Sequence, residues 1–156
     1  MKVGILLGSF NPIHMGHLHM ATSALNAGLV DEVVFVPSVQ NPWKKKYSAD
    51  FRNRCFMISL AIDDMENCSL SSIDYRNTEP YYSVNTLKML QEEYPEDELY
   101  LIVGADIVNT IKDLLIERQY NVLLGPATAG YKYYIHAFII YNEFVKEKKI
   151  KCYKFI

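Results

Sequence analysis

Cysteine is scarce: Cys55, Cys68 and Cys152 are three residues in 156, odd in number and far apart. Without a CxxC pair they suggest neither a disulfide framework nor a zinc site. Glycine and proline are sparse, at seven and six, and no repeat, low-complexity tract or interdomain linker breaks the chain. No apolar run approaches the roughly 18–20 residues of a membrane span, and the segment after Met1-Lys2 has no signal-peptide pattern. Neither sign of charge dominates. Sixteen basic side chains against eighteen acidic ones leave −2, which argues against a polycationic nucleic-acid binder. What is present is ordinary for a folded protein, with 50% hydrophobic and 22% charged residues. The expectation is a single cytoplasmic domain over residues 1–156, large enough to bury about 68–70% of its unfolded surface without metal or disulfide.

The charge is unevenly spread. Residues 1–40 carry −1, 41–60 carry +4, 61–119 carry −9 and 120–156 carry +4. Lys44, Lys45, Lys46, Arg52 and Arg54 fall within eleven positions. Such a cluster either attracts an anionic small molecule or is a solvated loop and helix start.

Strand and helix signals alternate. Val3–Leu7, Val33–Val36, Leu70–Ile73, Leu99–Val103 and Val122–Leu124 read as strands. Apolar spacing predicts a helix over Leu18–Leu29, stopped near Gly28. Asp50 is placed to cap a second helix with Phe51, Cys55, Ile58 and Ile62 facing inward. Ser83–Tyr94 predicts a third, with Val84, Leu87, Leu90 and Tyr94 on one side. Together these predict an α/β fold: a Rossmann-like, doubly wound parallel sheet of about five strands with helices on both faces. Ligands bind such sheets at the carboxyl ends of strands, so the loops after Leu7, Val36 and Val103 are the informative ones.

The first of these loops carries Gly8-Ser9-Phe10-Asn11-Pro12-Ile13-His14-Met15-Gly16-His17. Gly8 permits a tight turn and close approach of a phosphate to the backbone. A helix starting near Met15 would aim free N–H groups and its positive dipole end into the loop. His14 and His17 lie three apart on adjacent faces of one helical turn. Two imidazoles beside oriented amides suit a polyphosphate that gains charge during reaction. A metal pair or plain polar surface remains open on these residues alone. A metal would want a third ligand, and His19 faces elsewhere on the helix, so no protein metal site is expected.

The run GSFNPIHMGH resembles the signature of the HIGH-motif nucleotidyltransferase superfamily. Further stretches resemble its nicotinate-nucleotide adenylyltransferase family. Val36-Pro37 followed by Asn41-Pro42-Trp43-Lys44 is similar to a loop where that family usually has Pro-His-Lys, with Trp43 in place of the histidine. Arg54, Met57 and Ala61 match an R-x-x-M-x-x-x-A helix. Tyr82-Ser83-Val84-Asn85-Thr86-Leu87 is similar to Y-T-x-D-T-L, and Gly104-Ala105-Asp106 reproduces a strand-end G-A-D motif. The likeness in order and spacing runs from Lys2 to about Ile111.

The resemblance implies AMP transfer from ATP to nicotinate or nicotinamide mononucleotide, with release of pyrophosphate, in NAD biosynthesis. It implies His14, His17 and Lys44 as catalytic, and Gly8, Ser9, Phe10, His14, His17, Gly104 and Asp106 as ATP-binding. Asn11, Lys44, Ser83, Asn85 and Thr86 would bind the mononucleotide, although the last three could equally cap their own helix. Lys44 would swing in as a cationic clamp, a role open to Lys45 or Lys46 as well, and Asp106 would take the adenosine ribose hydroxyls. Mg²⁺ would arrive with ATP, held by phosphate oxygens and water. The expected partners are thus ATP and a pyridine mononucleotide, with no nucleic acid or membrane; a homo-oligomer is compatible with the sequence.

One family motif is missing. No serine follows Ser83 and no arginine follows Arg118, so a late I-S-S-T-x-x-R phosphate-binding segment is absent and residues 120–156 form a divergent C-terminal part. The family's ring-stacking tryptophan is also replaced, near Leu114. Two other readings therefore stand beside the first. One is a phosphopantetheine adenylyltransferase-like enzyme, which Asn41–Lys45 also fits. The other is a nucleotide-binding protein without turnover.

Overall fold

A computed structural model describes residues 1–40, 46–79, 81, 83–104, 121–125 and 152–154. The chain order is β1 (Lys2–Gly8), α1 (Met15–Asn26), β2 (Glu32–Pro37), α2 (Phe51–Ala61), β3 (Cys68–Leu70), a 3₁₀ turn (Ile73–Arg76), α3 (Ser83–Glu93), β4 (Glu98–Gly104), β5 (Asn121–Gly125) and β6 (Cys152–Lys154). The strands form one sheet in the order β3-β2-β1-β4-β5-β6, and every pairing is parallel. Four of the five expected strands are present where expected; the one read at Leu70–Ile73 lies earlier, at Cys68–Leu70, and Ile73 opens the 3₁₀ turn. The sixth, β6, extends the sheet from the divergent C-terminal part.

Chain order runs outward from β1 in both directions. Right-handed crossovers on either side of that strand therefore place helices on opposite faces of the sheet. The reversal lies between β1 and β4, where Leu6 is in register with Ile102. Gly8 sits level with Pro37 on β2, so the loops after β1 and β2 emerge together at the carboxyl edge beside the reversal.

Burial explains why these strands lack polar alternation. Val3, Ile5, Val33, Val34, Phe35, Val36 and Ile102 are fully buried, as residues covered on both faces must be. On α1, Ala21 and Ala24 are fully buried and let the helix lie close to the sheet. A Cβ on Gly4 would stand 2.7 Å from Ile102 Cδ1, so a side chain there would force Ile102 to shift.

Two helices differ in detail from the sequence expectation. α1 begins at Met15 as expected, capped by His14, but ends at Asn26 rather than Leu29. α2 is capped by Asp50, whose side chain accepts from the Asn53 amide at 2.7 Å. Its inward residues, however, include Arg54 alongside Ile58, while Phe51 and Cys55 are half-buried. Among the described residues no helix is long and apolar enough to cross a membrane.

Candidate active site

The loop after β1 folds back on itself through Phe10. That residue has φ of 45°, a left-handed conformation that costs a non-glycine residue about 1–3 kcal/mol. Its ring is 1% exposed and lies 5.8 Å from Phe35 and edge-on to His17 at 4.8 Å. Burial of an aromatic ring offsets the backbone cost. The sequence reading assigns the turn to Gly8, but Gly8 matters sterically: a Cβ there would meet the Phe10 ring at 3.3 Å. The Phe10 side chain belongs to the core, so an ATP contact at this residue would come from its backbone.

The two histidines form a reciprocal cap on α1. His14 precedes the helix, and its Nδ1 accepts from the Gly16 amide at 3.1 Å. His17 reaches back, and its Nδ1 accepts from the His14 amide at 3.2 Å. The rings consequently stack, with centroids 3.7 Å apart and planes 25° from parallel, rather than sitting on adjacent helical faces as the spacing suggests. A nitrogen that accepts from an amide carries no proton, so the proton of each ring is on Nε2. Each ring therefore carries its proton on Nε2, at the positive end of the α1 dipole.

The second loop is tied to the first. The Ser38 amide donates to Gly8 O at 2.8 Å. Arg54, from α2, is 1% exposed, and its guanidinium donates to four carbonyls: Ser9 and Ser38 at 2.7 Å, Val39 at 3.0 Å and Ala49 at 3.2 Å. It also lies 4.5 Å from the Tyr47 ring centroid, a cation–π arrangement. Burial pushes its pKa down, while Tyr47 and nearby groups oppose the shift. Arg54 is thus an internal strut, not part of an anion-attracting or solvated cluster. Lys46 and Arg52 are exposed, and Lys44 and Lys45 lie outside the described residues.

Asn11 serves the same junction. Its Oδ1 accepts from Ser48 Oγ and from the Ala49 amide, both at 3.2 Å, which pins the chain entering α2 onto the first loop. At the start of α3, Thr86 is buried and its hydroxyl donates to Asp74. The Thr86 side chain is bonded to both Asp74 and Asn77. Asn85 is half-buried, its Nδ2 3.4 Å from Asn77 Oδ1. Gly104 ends β4 in register with Gly125. The side chain of Ser83 and all of Asp106 lie outside the described residues.

The structure thus brings Gly8, Ser9, Phe10, His14 and His17 into one cradle, with Asn11 at its seam with the second loop. Sequence reasoning missed Asp74 and Asn77. Both are buried polar residues, in and just after the 3₁₀ turn Ile73–Arg76, and no pattern in the sequence marks them. Among the described residues no three His, Cys, Asp or Glu side chains converge as metal ligands do.

Comparisons with known proteins agree on kinship. A family model described as cytidylyltransferase-like matches residues 5–152. A Flavobacterium psychrophilum protein described as a probable nicotinate-nucleotide adenylyltransferase is 33% identical over 155 residues, covering 99% of this chain and 79% of that protein. One of the same description from Carboxydothermus hydrogenoformans is 39% identical over 105 residues, covering 67% of this chain. The aligned part spans about half of that relative's length, 52%. Among solved structures, Plasmodium falciparum nicotinic acid mononucleotide adenylyltransferase, complexed with NaAD, superposes with a TM-score of 0.66. It covers 99% of this chain and 75% of its own, at 17% identity, a likeness of fold.

Proposed function

Because the chain belongs to the nicotinate-nucleotide adenylyltransferase family of HIGH-motif nucleotidyltransferases, we propose that it transfers AMP from ATP to nicotinate mononucleotide, or its amide, in NAD biosynthesis. The observation that carries this reading is the reciprocal His14–His17 cap at the sheet reversal. It holds two Nε2–H donors and a helix N-terminus over one small volume, an arrangement suited to a triphosphate.

The reaction asks little else of side chains. The acceptor phosphate is ionised at neutral pH, so no general base is needed. One of its oxygens bonds to the α-phosphorus of ATP while the bond from that phosphorus to the α,β-bridging oxygen breaks. The electron pair leaves with pyrophosphate. Catalysis then consists of alignment and of stabilising charge on the departing group. His17, backed by the Phe10 ring, donates to the triphosphate in the transition state, and His14 assists. Backbone groups of Gly8, Ser9 and Phe10 line the phosphate path. Lys44 supplies a cation to the triphosphate, a task for which lysine's flexible point charge is suited.

Gly104 and Asp106 hold the adenosine side, and Asn11, Ser83 and Asn85 receive the mononucleotide. Thr86 acts from behind, through Asp74. Mg²⁺ bound with ATP would supply charge neutralisation at the phosphates, held by phosphate oxygens and water. Residues 1–156 act as one cytoplasmic domain whose 120–156 part diverges from the family.

The test is pyrophosphate release by the purified protein with ATP and Mg²⁺, run on nicotinate mononucleotide, nicotinamide mononucleotide and phosphopantetheine. Dinucleotide formation with a pyridine mononucleotide is expected. Turnover with phosphopantetheine alone would reassign the substrate. ATP binding with no pyrophosphate would favour a non-catalytic nucleotide binder, the reading that the missing late motif supports.

A further inference from the structure

Asp74 lies outside the cradle, yet it joins its parts. It is 2% exposed. Its Oδ2 accepts from the Val39 amide at 2.6 Å. Its Oδ1 accepts from Asn77 Nδ2 at 3.0 Å and from the Thr86 hydroxyl. On the far side of the same residue, Val39 O accepts from Arg54, which also holds Ser9 O of the first loop. One residue in the loop after β2 is therefore gripped between a buried carboxylate and a buried guanidinium. From Asp74 the contacts continue to Asn77, whose Oδ1 accepts from the Thr78 amide at 2.9 Å and faces Asn85 Nδ2 at 3.4 Å.

The direction of these bonds matters. A carboxylate accepts only, so Asp74 obliges Asn77 to turn its amide nitrogen toward it and its oxygen toward Thr78 and Asn85. We propose that Asp74 is a positioning residue for the mononucleotide end of the site, orienting Asn77 and through it Asn85 at the start of α3. The inference rests on the reading that this end of α3 receives the mononucleotide.

Asp74→Asn preserves shape and still accepts from Val39, but it sets an amide nitrogen against the nitrogen of Asn77. Relief requires Asn77 to flip, which gives up its bonds to Thr78 and Asn85. The exchange variant Asp74→Asn/Asn77→Asp restores a donor facing an acceptor. It also keeps an oxygen toward Thr78 and Asn85, while the Thr86 hydroxyl reverses its direction.

The experiment is titration calorimetry of the full chain with nicotinate mononucleotide and, separately, a non-hydrolysable ATP analogue. Asp74→Asn is expected to weaken mononucleotide binding roughly tenfold, the scale of one charge-assisted hydrogen bond. The ATP analogue should bind within about twofold of wild type. The exchange variant should recover most of the loss. A mononucleotide affinity unchanged in Asp74→Asn, equal losses for both ligands, or an exchange variant no better than the single one would each overturn the inference. Should Asp74→Asn fail to fold, the exchange variant decides alone. Mononucleotide binding near wild type then supports the orientation argument, and its selective loss refutes it. Failure of the functional reading is distinguishable, because wild-type protein would then bind no mononucleotide before any substitution is made.

Discussion

Arg54→Met would remove the strut between the two loops while keeping most of the side-chain length. Four carbonyls, of Ser9, Ser38, Val39 and Ala49, then lose their donor. A buried acceptor left unpaired costs about 1–3 kcal/mol. Water entering the gap would satisfy some of the four, so the loss should resemble that of breaking a buried charged contact, about 3–5 kcal/mol. At about 2–4 °C per kcal/mol for a chain of this size, the melting temperature should fall by about 6–20 °C. Arg54→Lys keeps the charge, but one ammonium cannot span four separated carbonyls, so its loss should be intermediate. Thermal unfolding followed by circular dichroism reads the effect directly. A fall below about 2 °C, under 1 kcal/mol on that scale, would refute the strut. Weakened, salt-sensitive ATP binding at unchanged stability would instead make Arg54 an anion-binding residue.

Two further substitutions and reagents probe neighbouring features. His14→Asn keeps a side-chain cap on α1 and should cost only a few tenths of a kcal/mol, whereas His14→Ala should cost about 0.5–2 kcal/mol; both should lose turnover, since neither carries an Nε2–H, and chemical unfolding with a pyrophosphate assay separates the effects. Cys68 has its thiol pKa pushed up to about 11 by burial and by Glu32. At pH 8 it should react with iodoacetamide about a hundredfold more slowly in the folded protein than in urea. The folded thiol keeps its proton where the unfolded one has lost it, so this residue should lower stability as pH rises from about 9 to about 11. Equal alkylation rates in the two states would contradict that environment.

Much of the scaffold was readable in the order of residues. Continuous apolar runs such as Val33–Val36 mark strands covered on both faces, because burial there leaves no polar alternation. Asp50 announces α2 because a short acceptor side chain before an apolar stripe satisfies a free helix amide. The histidine pair was visible as a phosphate-site candidate, but its geometry was not. Local spacing puts the two histidines on adjacent faces of one turn, and only the reciprocal Nδ1 bonds stack the His14 ring on His17. Arg54 was misread because a charge in a basic run looks solvated; its partners, Ser9 and Val39, are 45 and 15 positions away. Asp74 and Asn77 carry no periodicity. Their importance arises from tertiary donors, Val39 and Thr86, that no local pattern links to them.

The most direct test of the cradle is the long-range proton–nitrogen spectrum of the histidine rings, recorded before and after addition of Mg²⁺ and ATP. The account predicts that both His14 and His17 carry their proton on Nε2, with bare Nδ1, and that both Nε2–H signals shift when the nucleotide binds. A proton on Nδ1 in either ring, or signals that do not move at saturating ATP, would contradict it.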